Sequence, residues 1–131
     1  RLFEDTVPAL SGLAERGWMH VILSNHVPEL AAIVDALGIS YLFSAIHTSA
    51  LTGYEKPHRE AFRVALRALP SPADTWMVGD NPDADVHGAE QVGIPAILVR
   101  KSAPNIRHQC RDLLGAAELI ESTQRATSTD G

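Results

Sequence analysis

Short apolar runs alternate with stretches of helical periodicity along most of this chain, and that alternation restricts the fold more than any other feature. His20–Leu23 (HVIL), Ala45–Thr48 (AIHT), Thr75–Val78 (TWMV) and Ala96–Val99 (AILV) read as strands, the second the weakest. Between them the apolar residues recur at helical spacing. Val7 to Arg16 predicts a helix with Leu10 and Leu13 on one face and Gly17 as its stop. Pro28 opens another, in which Leu30, Ile33, Val34 and Leu37 share a face and Gly38 ends it. Pro57 starts a third with Phe62, Leu66 and Leu69 inward, broken by Pro70-Ser71-Pro72. A fourth runs from Asp83 to Val92, with Gly93 as its C-terminal cap. Strands that alternate with helices predict βαβ units and therefore an α/β fold built on a parallel sheet. Near the end, Ile106, Cys110, Leu113 and Leu114 suggest a last helix and Glu118–Glu121 a short final strand. Residues 1–124 are expected to form one domain, and 125–131 a polar tail that frays.

Composition excludes several roles. With 16 acidic against 11 basic residues and a formal charge of −5, the chain lacks the basic face that non-specific nucleic-acid binding needs. No apolar run approaches the ~20 residues of a membrane-spanning helix, so no membrane role is expected. Cys110 is the only cysteine, which rules out an internal disulfide and suits a reducing, cytoplasmic setting. No secretory signal opens the chain. It starts at Arg1 and enters a helical pattern within a few residues, so we expect it to be a piece of a longer protein. Oligomeric state stays open.

Polar clusters follow the carboxyl ends of the strands, the edge at which open α/β sheets bind ligands. After HVIL come Ser24 and Asn25: a hydroxyl beside free N–H groups ahead of a helix holds a phosphate oxygen, and the same residues also make plain turns and caps. Lys56 stands just before a helix start, where the dipole disfavours a cation. It reads either as the partner of an anion or as a solvated loop lysine. After TWMV, Gly79-Asp80-Asn81-Pro82-Asp83-Ala84-Asp85 crowds carboxylates that repel one another unless a cation or helix N–H groups neutralise them. An oxygen-only set of this kind suits Mg²⁺; the competing reading is a capped helix start. His58 and His87 lie on helix starts, His26 follows Asn25, and His20, His47 and His108 show no ligand spacing, so no zinc site is predicted.

Taken in order, strand–Ser24-Asn25, Lys56-Pro57 and strand–Gly79-Asp80 with Asp85-Val86-His87-Gly88-Ala89 resemble the haloacid dehalogenase superfamily from about Phe3 to Arg100. The resemblance implies a Rossmann-like three-layer α/β/α core and hydrolysis of a small phosphorylated substrate with Mg²⁺. It implies that Ser24, with Asn25 beside it, holds the transferring phosphoryl group and that Lys56 neutralises charge on it. It further implies that Asp80 ligates Mg²⁺, and that Asp85 is the second acid, supporting the metal or the lysine; Asp83 competes for that role.

In such proteins catalysis starts from an Asp-x-Asp pair ending the first strand. One carboxylate attacks phosphorus to give an aspartyl-phosphate, and the other serves as acid and base. No such pair follows an apolar strand before Ser24, and Asp5-Thr6 follows a segment too short and polar for a buried strand. That strand would lie between HVIL and TWMV, so two inward edges are expected to lack partners, and the strand, with a cap, to lie upstream. Two further readings stay open: a metal-independent haloacid dehalogenase, against which Gly79-Asp80 counts, and a non-catalytic binding module of the same fold. A nicotinamide-binding domain is disfavoured, because no Gly-x-Gly-x-x-Gly follows a strand.

Overall fold

The computed structural model describes residues 4–25, 27–69 and 74–130, with side chains through 123. His26, the Pro70-Ser71-Pro72 break, residues 1–3 and the side chains of the tail lie outside the described residues.

The predicted alternation is present. The elements are α1 (Thr6–Glu15), β1 (Val21–Ser24), α2 (Leu30–Ala36), a 3₁₀ turn (Ser40–Leu42), β2 (Ala45–Thr48), α3 (Ser49–Thr52) and α4 (Arg59–Leu66). Then follow β3 (Met77–Gly79), a π-helical segment (Pro82–His87) running into α5 (Gly88–Gln91), β4 (Ala96–Val99), β5 (Gln109–Cys110) and α6 (Leu113–Asp130). Gly17 and Gly93 end α1 and α5 with φ of 94° and 82°, backbone that a side chain at Cβ would penalise.

Every strand pair is parallel, but the strands form two sheets. In one, Val21–Ser24 of β1 lies in register with Ala45–Thr48 of β2. In the other, β4 pairs with β3 through Met77–Ala96, Val78–Ile97 and Gly79–Leu98, and with β5 through Leu98–Gln109 and Val99–Cys110. All four residues of β4 are buried, as a strand covered on both faces requires. Ala96 and Leu98 pack with Phe62 of α4 and with Val86, Ala89 and Ile94 on one face. Ile97 and Val99 pack with Leu13 of α1 and with Ala116 and Ile120 of α6 on the other. A third cluster, Val34, Ile39 and Leu42 with Ile22 and Ile46 against it, serves the smaller sheet. These are the three layers of an α/β/α fold.

Among the described residues no hydrogen bond joins β1 to β3, as the unpaired inward edges predict. A cavity of about 580 Å³ lies between them, lined by Val21 and Ile22 on one side and Met77 and Val78 on the other. Phe62 and Leu66 of α4 line it from one layer, Leu13 and Ala116 from the opposite layer. Those four side chains are apolar, and Arg16, His20, Asp74 and Glu121 also line the cavity.

Two expectations fail near the C-terminus. Ile106–Asp112 is not helical, the helix beginning only at Leu113, and Glu118–Glu121 is helix rather than strand. Gln109 and Cys110 pair with β4, while the Gln109 amide closes the preceding loop onto Ala103 (3.0 and 2.8 Å) and Ile106 (3.0 Å). Asp112 then caps a new helix, accepting from Gly115 N at 2.9 Å, and that helix carries Ala116 and Ile120 at helical spacing through the expected strand. Its backbone is helical to Asp130. The segment read as a loop before Lys56 also contains the one-turn helix α3, capped by Thr48.

Candidate active site at the carboxyl edge

Ser24 is the last residue of β1, and the backbone that follows it is pinned from two sides. Val27 N donates to Thr48 Oγ1 at 3.0 Å, so the end of β2, with Thr48 buried, anchors the loop. The Asn25 amide faces the backbone of Lys56: Lys56 N donates to Asn25 Oδ1 at 2.8 Å, and Asn25 Nδ2 donates to Lys56 O at 3.1 Å. Lys56 precedes a cis bond to Pro57, and His58 caps α4 by accepting from Glu60 N at 3.0 Å.

From that fixed base the Lys56 side chain reaches Asp85. Nζ and Asp85 Oδ1 are 2.6 Å apart, and only 11% and 6% of the two side chains is exposed. Asp85 Oδ2 accepts from Asn81 N at 3.1 Å. Asn81 in turn caps the π-helical segment, its Oδ1 accepting from Asp83 N (3.0 Å) and Ala84 N (2.9 Å). In that wider turn both Asp85 N (3.0 Å) and Val86 N (3.3 Å) bond to Asn81 O. Asp85 thereby folds back over the end of β3. Gly79 makes room for it, since a Cβ there would overlap the Asp85 carboxyl group. Gly88 makes room in the same way for the Phe62 ring, to which a Cβ would come within 2.8 Å.

Asp83 and Asp85, equal candidates by residue type, are thus separated by their surroundings. Asp83 is 89% exposed and touches His87 Nδ1 at 3.2 Å on the solvent side. Asp85 is buried on the ammonium. Asp80, directly after β3, is exposed. Of the residues singled out by sequence, Asn25, Lys56 and Asp85 meet directly, and Asp85 reaches back to Asn81, the neighbour of Asp80. Ser24 joins the group through the chain, at the carboxyl end of the parallel strand beside β2.

The residues that sequence reasoning missed are those that hold the others. Asn81 carried a signal, an Asn immediately before Pro at a helix start. Thr48 carried none beyond its place at a strand end. Asp5, a poor candidate for a strand-end carboxylate, is nonetheless buried: Arg100 Nη2 donates to both its oxygens (2.7 and 2.8 Å), and Leu113 N donates to Oδ2 at 2.7 Å. Burial pushes its pKa up, but the hydrogen bonds from Arg100 and Leu113 prevail and hold the carboxyl below its ordinary value. Burial also lowers the His47 imidazole, whose Nε2 is enclosed without a partner, and raises the Cys110 thiol with help from Asp112 and Glu118.

No group of three or more His, Cys, Asp or Glu side chains able to hold a metal is found among the described residues. Mg²⁺ demands less, since it keeps several waters and takes one or two carboxylates. Asp80, exposed beside the cluster, fits that demand, whereas the contact Asp85 makes is with an ammonium. No helix of the described residues is long and apolar enough to cross a membrane.

Parallel strands covered on both faces, with a buried ammonium–carboxylate pair beside their carboxyl ends, define a parallel α/β domain, and comparison with known proteins makes the class specific. The sequence model of the haloacid dehalogenase-like hydrolases matches residues 1–93. The chain is similar to a phosphoserine phosphatase of Thermus thermophilus, 37% identical over 101 residues, which covers 75% of the chain and 40% of that protein. A glyceraldehyde 3-phosphate phosphatase of Methanothermobacter thermautotrophicus is 33% identical over 102 residues, 76% of the chain and 45% of its own length. Among solved structures, a HAD phosphatase from Thermococcus onnurineus superposes with a TM-score of 0.85 at 23% identity over 92% of the chain and 58% of its own. The chain belongs to the haloacid dehalogenase-like hydrolase family. It spans roughly two-fifths of the length of the curated relatives it matches.

Proposed function

We propose that this chain is the phosphate- and cation-handling portion of a Mg²⁺-dependent phosphomonoester hydrolase. The observation that carries the reading is the Lys56–Asp85 pair, held at the sheet's carboxyl edge between Asn25 and Asn81. A cation this shielded, with its carboxylate partner fixed from behind, is preorganised for a second anion, and such preorganisation is the main source of catalysis in phosphoryl transfer. Relatives named as phosphoserine and glyceraldehyde 3-phosphate phosphatases support a small phosphorylated substrate.

In this reading Ser24 donates its hydroxyl to a phosphoryl oxygen. Lys56 neutralises charge on the phosphoryl group and on the attacking carboxylate, and Asp85 orients Lys56. Asp80 holds Mg²⁺, which when bound supplies charge neutralisation for the phosphoryl oxygens. The attacking carboxylate, which forms the aspartyl-phosphate, lies upstream on an apolar strand that occupies the slot between β1 and β3. Filling that slot gives both inward strand edges hydrogen-bond partners, and it sets the strand's carboxyl end beside Lys56.

The test is hydrolysis of an aryl phosphate by the intact protein with Mg²⁺ added, compared with Asp80→Asn and Lys56→Met. Activity lost in both variants and in chelator is the expected result. Full activity of Asp80→Asn would reject the cation assignment. Phosphate binding without any hydrolysis would assign the protein as a binding module, and chloride release from a haloacid in chelator would assign it as a dehalogenase.

A further inference from the structure

The geometry points to Asn25 as a positioning residue that acts through Lys56, which deepens the phosphohydrolase reading and rests on it. The residue follows Ser24 at a strand end, so by sequence it belongs with the phosphate ligands. In the structure its amide is turned to a backbone 31 residues away: Oδ1 takes Lys56 N at 2.8 Å and Nδ2 gives to Lys56 O at 3.1 Å. Both polar groups of the Lys56 main chain are therefore held by one planar side chain. Its own segment is anchored in turn, because Val27 N is bonded to the buried hydroxyl of Thr48.

A lysine stem has four methylenes and many rotamers, so an ammonium is placed accurately only if the stem is fixed at both ends. Asp85 fixes the tip at 2.6 Å. Asn25 fixes the base. The requirement is chemically narrow: the side chain must offer a donor and an acceptor in one plane, at a reach of two carbons. Aspartate keeps the acceptor for Lys56 N but sets a second acceptor against Lys56 O. Alanine supplies neither.

The test is a double-mutant comparison read by affinity for inorganic phosphate, titrated calorimetrically. If Asn25 works through Lys56, Asn25→Ala weakens phosphate about fivefold in the wild-type background, the worth of roughly one net hydrogen bond. In a Lys56→Met background the same change then moves affinity by less than about twofold, since non-additivity marks residues that act as a unit. Equal factors in both backgrounds would overturn the inference and make Asn25 a direct ligand. A second readout needs no anion: the Lys56 side-chain ammonium resonance should shift in phosphate-free Asn25→Ala and Asn25→Asp protein, and an unmoved resonance refutes positioning. Asn25→Asp, which preserves shape and one hydrogen bond, serves if Asn25→Ala does not fold. Wild-type protein that fails to bind phosphate, or Lys56→Met that binds it normally, sinks the phosphohydrolase reading instead, and positioning is then judged on the ammonium resonance alone.

Discussion

Lys56 Nζ lies 2.6 Å from Asp85 Oδ1, and both side chains are largely withdrawn from solvent. Withdrawing two charges from water costs more than a surface ion pair returns, so such a pair is costly to break from one side only. Asp85→Asn is expected to lower stability by ~3–5 kcal/mol, the usual cost of an uncompensated buried charge. The double variant Lys56→Met/Asp85→Asn should recover much of that loss. Urea unfolding checks it; a single variant within ~1 kcal/mol of wild type would mean that the pair is wetter than its geometry indicates.

Gly79 is where that pair meets the sheet. Adding a methyl group there forces the Asp85 carboxyl group to move. Gly79→Ala should cost ~1–3 kcal/mol through overpacking and should lower phosphate affinity as well. A loss of stability with phosphate binding intact would show that Asp85 relaxes without disturbing Lys56.

Gly12 offers the opposite case. It sits within α1, and a Cβ there meets only the end of the Arg16 side chain at 3.6 Å. Gly12→Ala should therefore stabilise the protein by ~0.5–1 kcal/mol, the helix-interior preference for alanine. A lower thermal midpoint for this variant would contradict the packing described between α1 and α6.

Acid sensitivity should run through Asp5. Its folded pKa lies below its unfolded value, so its contribution to stability is complete above about 4 and is lost as pH falls through the lower, folded pKa. The stability difference between wild type and Asp5→Asn should then be largest near neutrality and shrink steadily below about pH 4. Urea midpoints measured across that range decide the matter, a constant difference being the adverse outcome.

His47 predicts a second, milder acid effect. With its folded pKa lowered by burial, it resists protonation in the fold while the unfolded chain accepts the proton. Stability should therefore begin to fall as pH drops below about 6.5, and His47→Gln should remove that share of the slope. An unchanged slope between about pH 6.5 and 5 would assign it to other groups.

What the sequence made legible was whatever has a local cause. AILV is a strand over the residues read because a parallel strand covered on both faces must be apolar throughout, and AIHT, half polar and less buried, is a strand over the residues read through its pairing with β1. Lys56 stood out because a cation just before a helix start is a charge that local structure alone does not favour, and Asp85 because it follows a crowd of carboxylates in the order that the family resemblance requires. What stayed hidden has its cause far away in the chain. Asp5 is 95 residues from Arg100, and Asn25 is 31 from Lys56, so neither bond leaves a mark in its own neighbourhood. The C-terminal error had a different origin. The apolar spacing from Ile106 to Leu114 is compatible with a helix, but Cys110 is needed as a partner for β4, and sheet pairing overrode the periodicity.

The slot between β1 and β3 ties chemistry to folding. Among the described residues the slot is spanned at the rim, through Asn25, Lys56, Asp85 and Asn81, and along its walls, through helices packed on either layer. Two half-sheets joined in this way resemble the leaves of a book held at the top edge, and in the proposed reading a strand with its own main-chain donors and acceptors is laid between them. In that reading, whatever closes the book also sets the spacing of the rim, so assembly of the sheet and readiness of the ammonium become a single event.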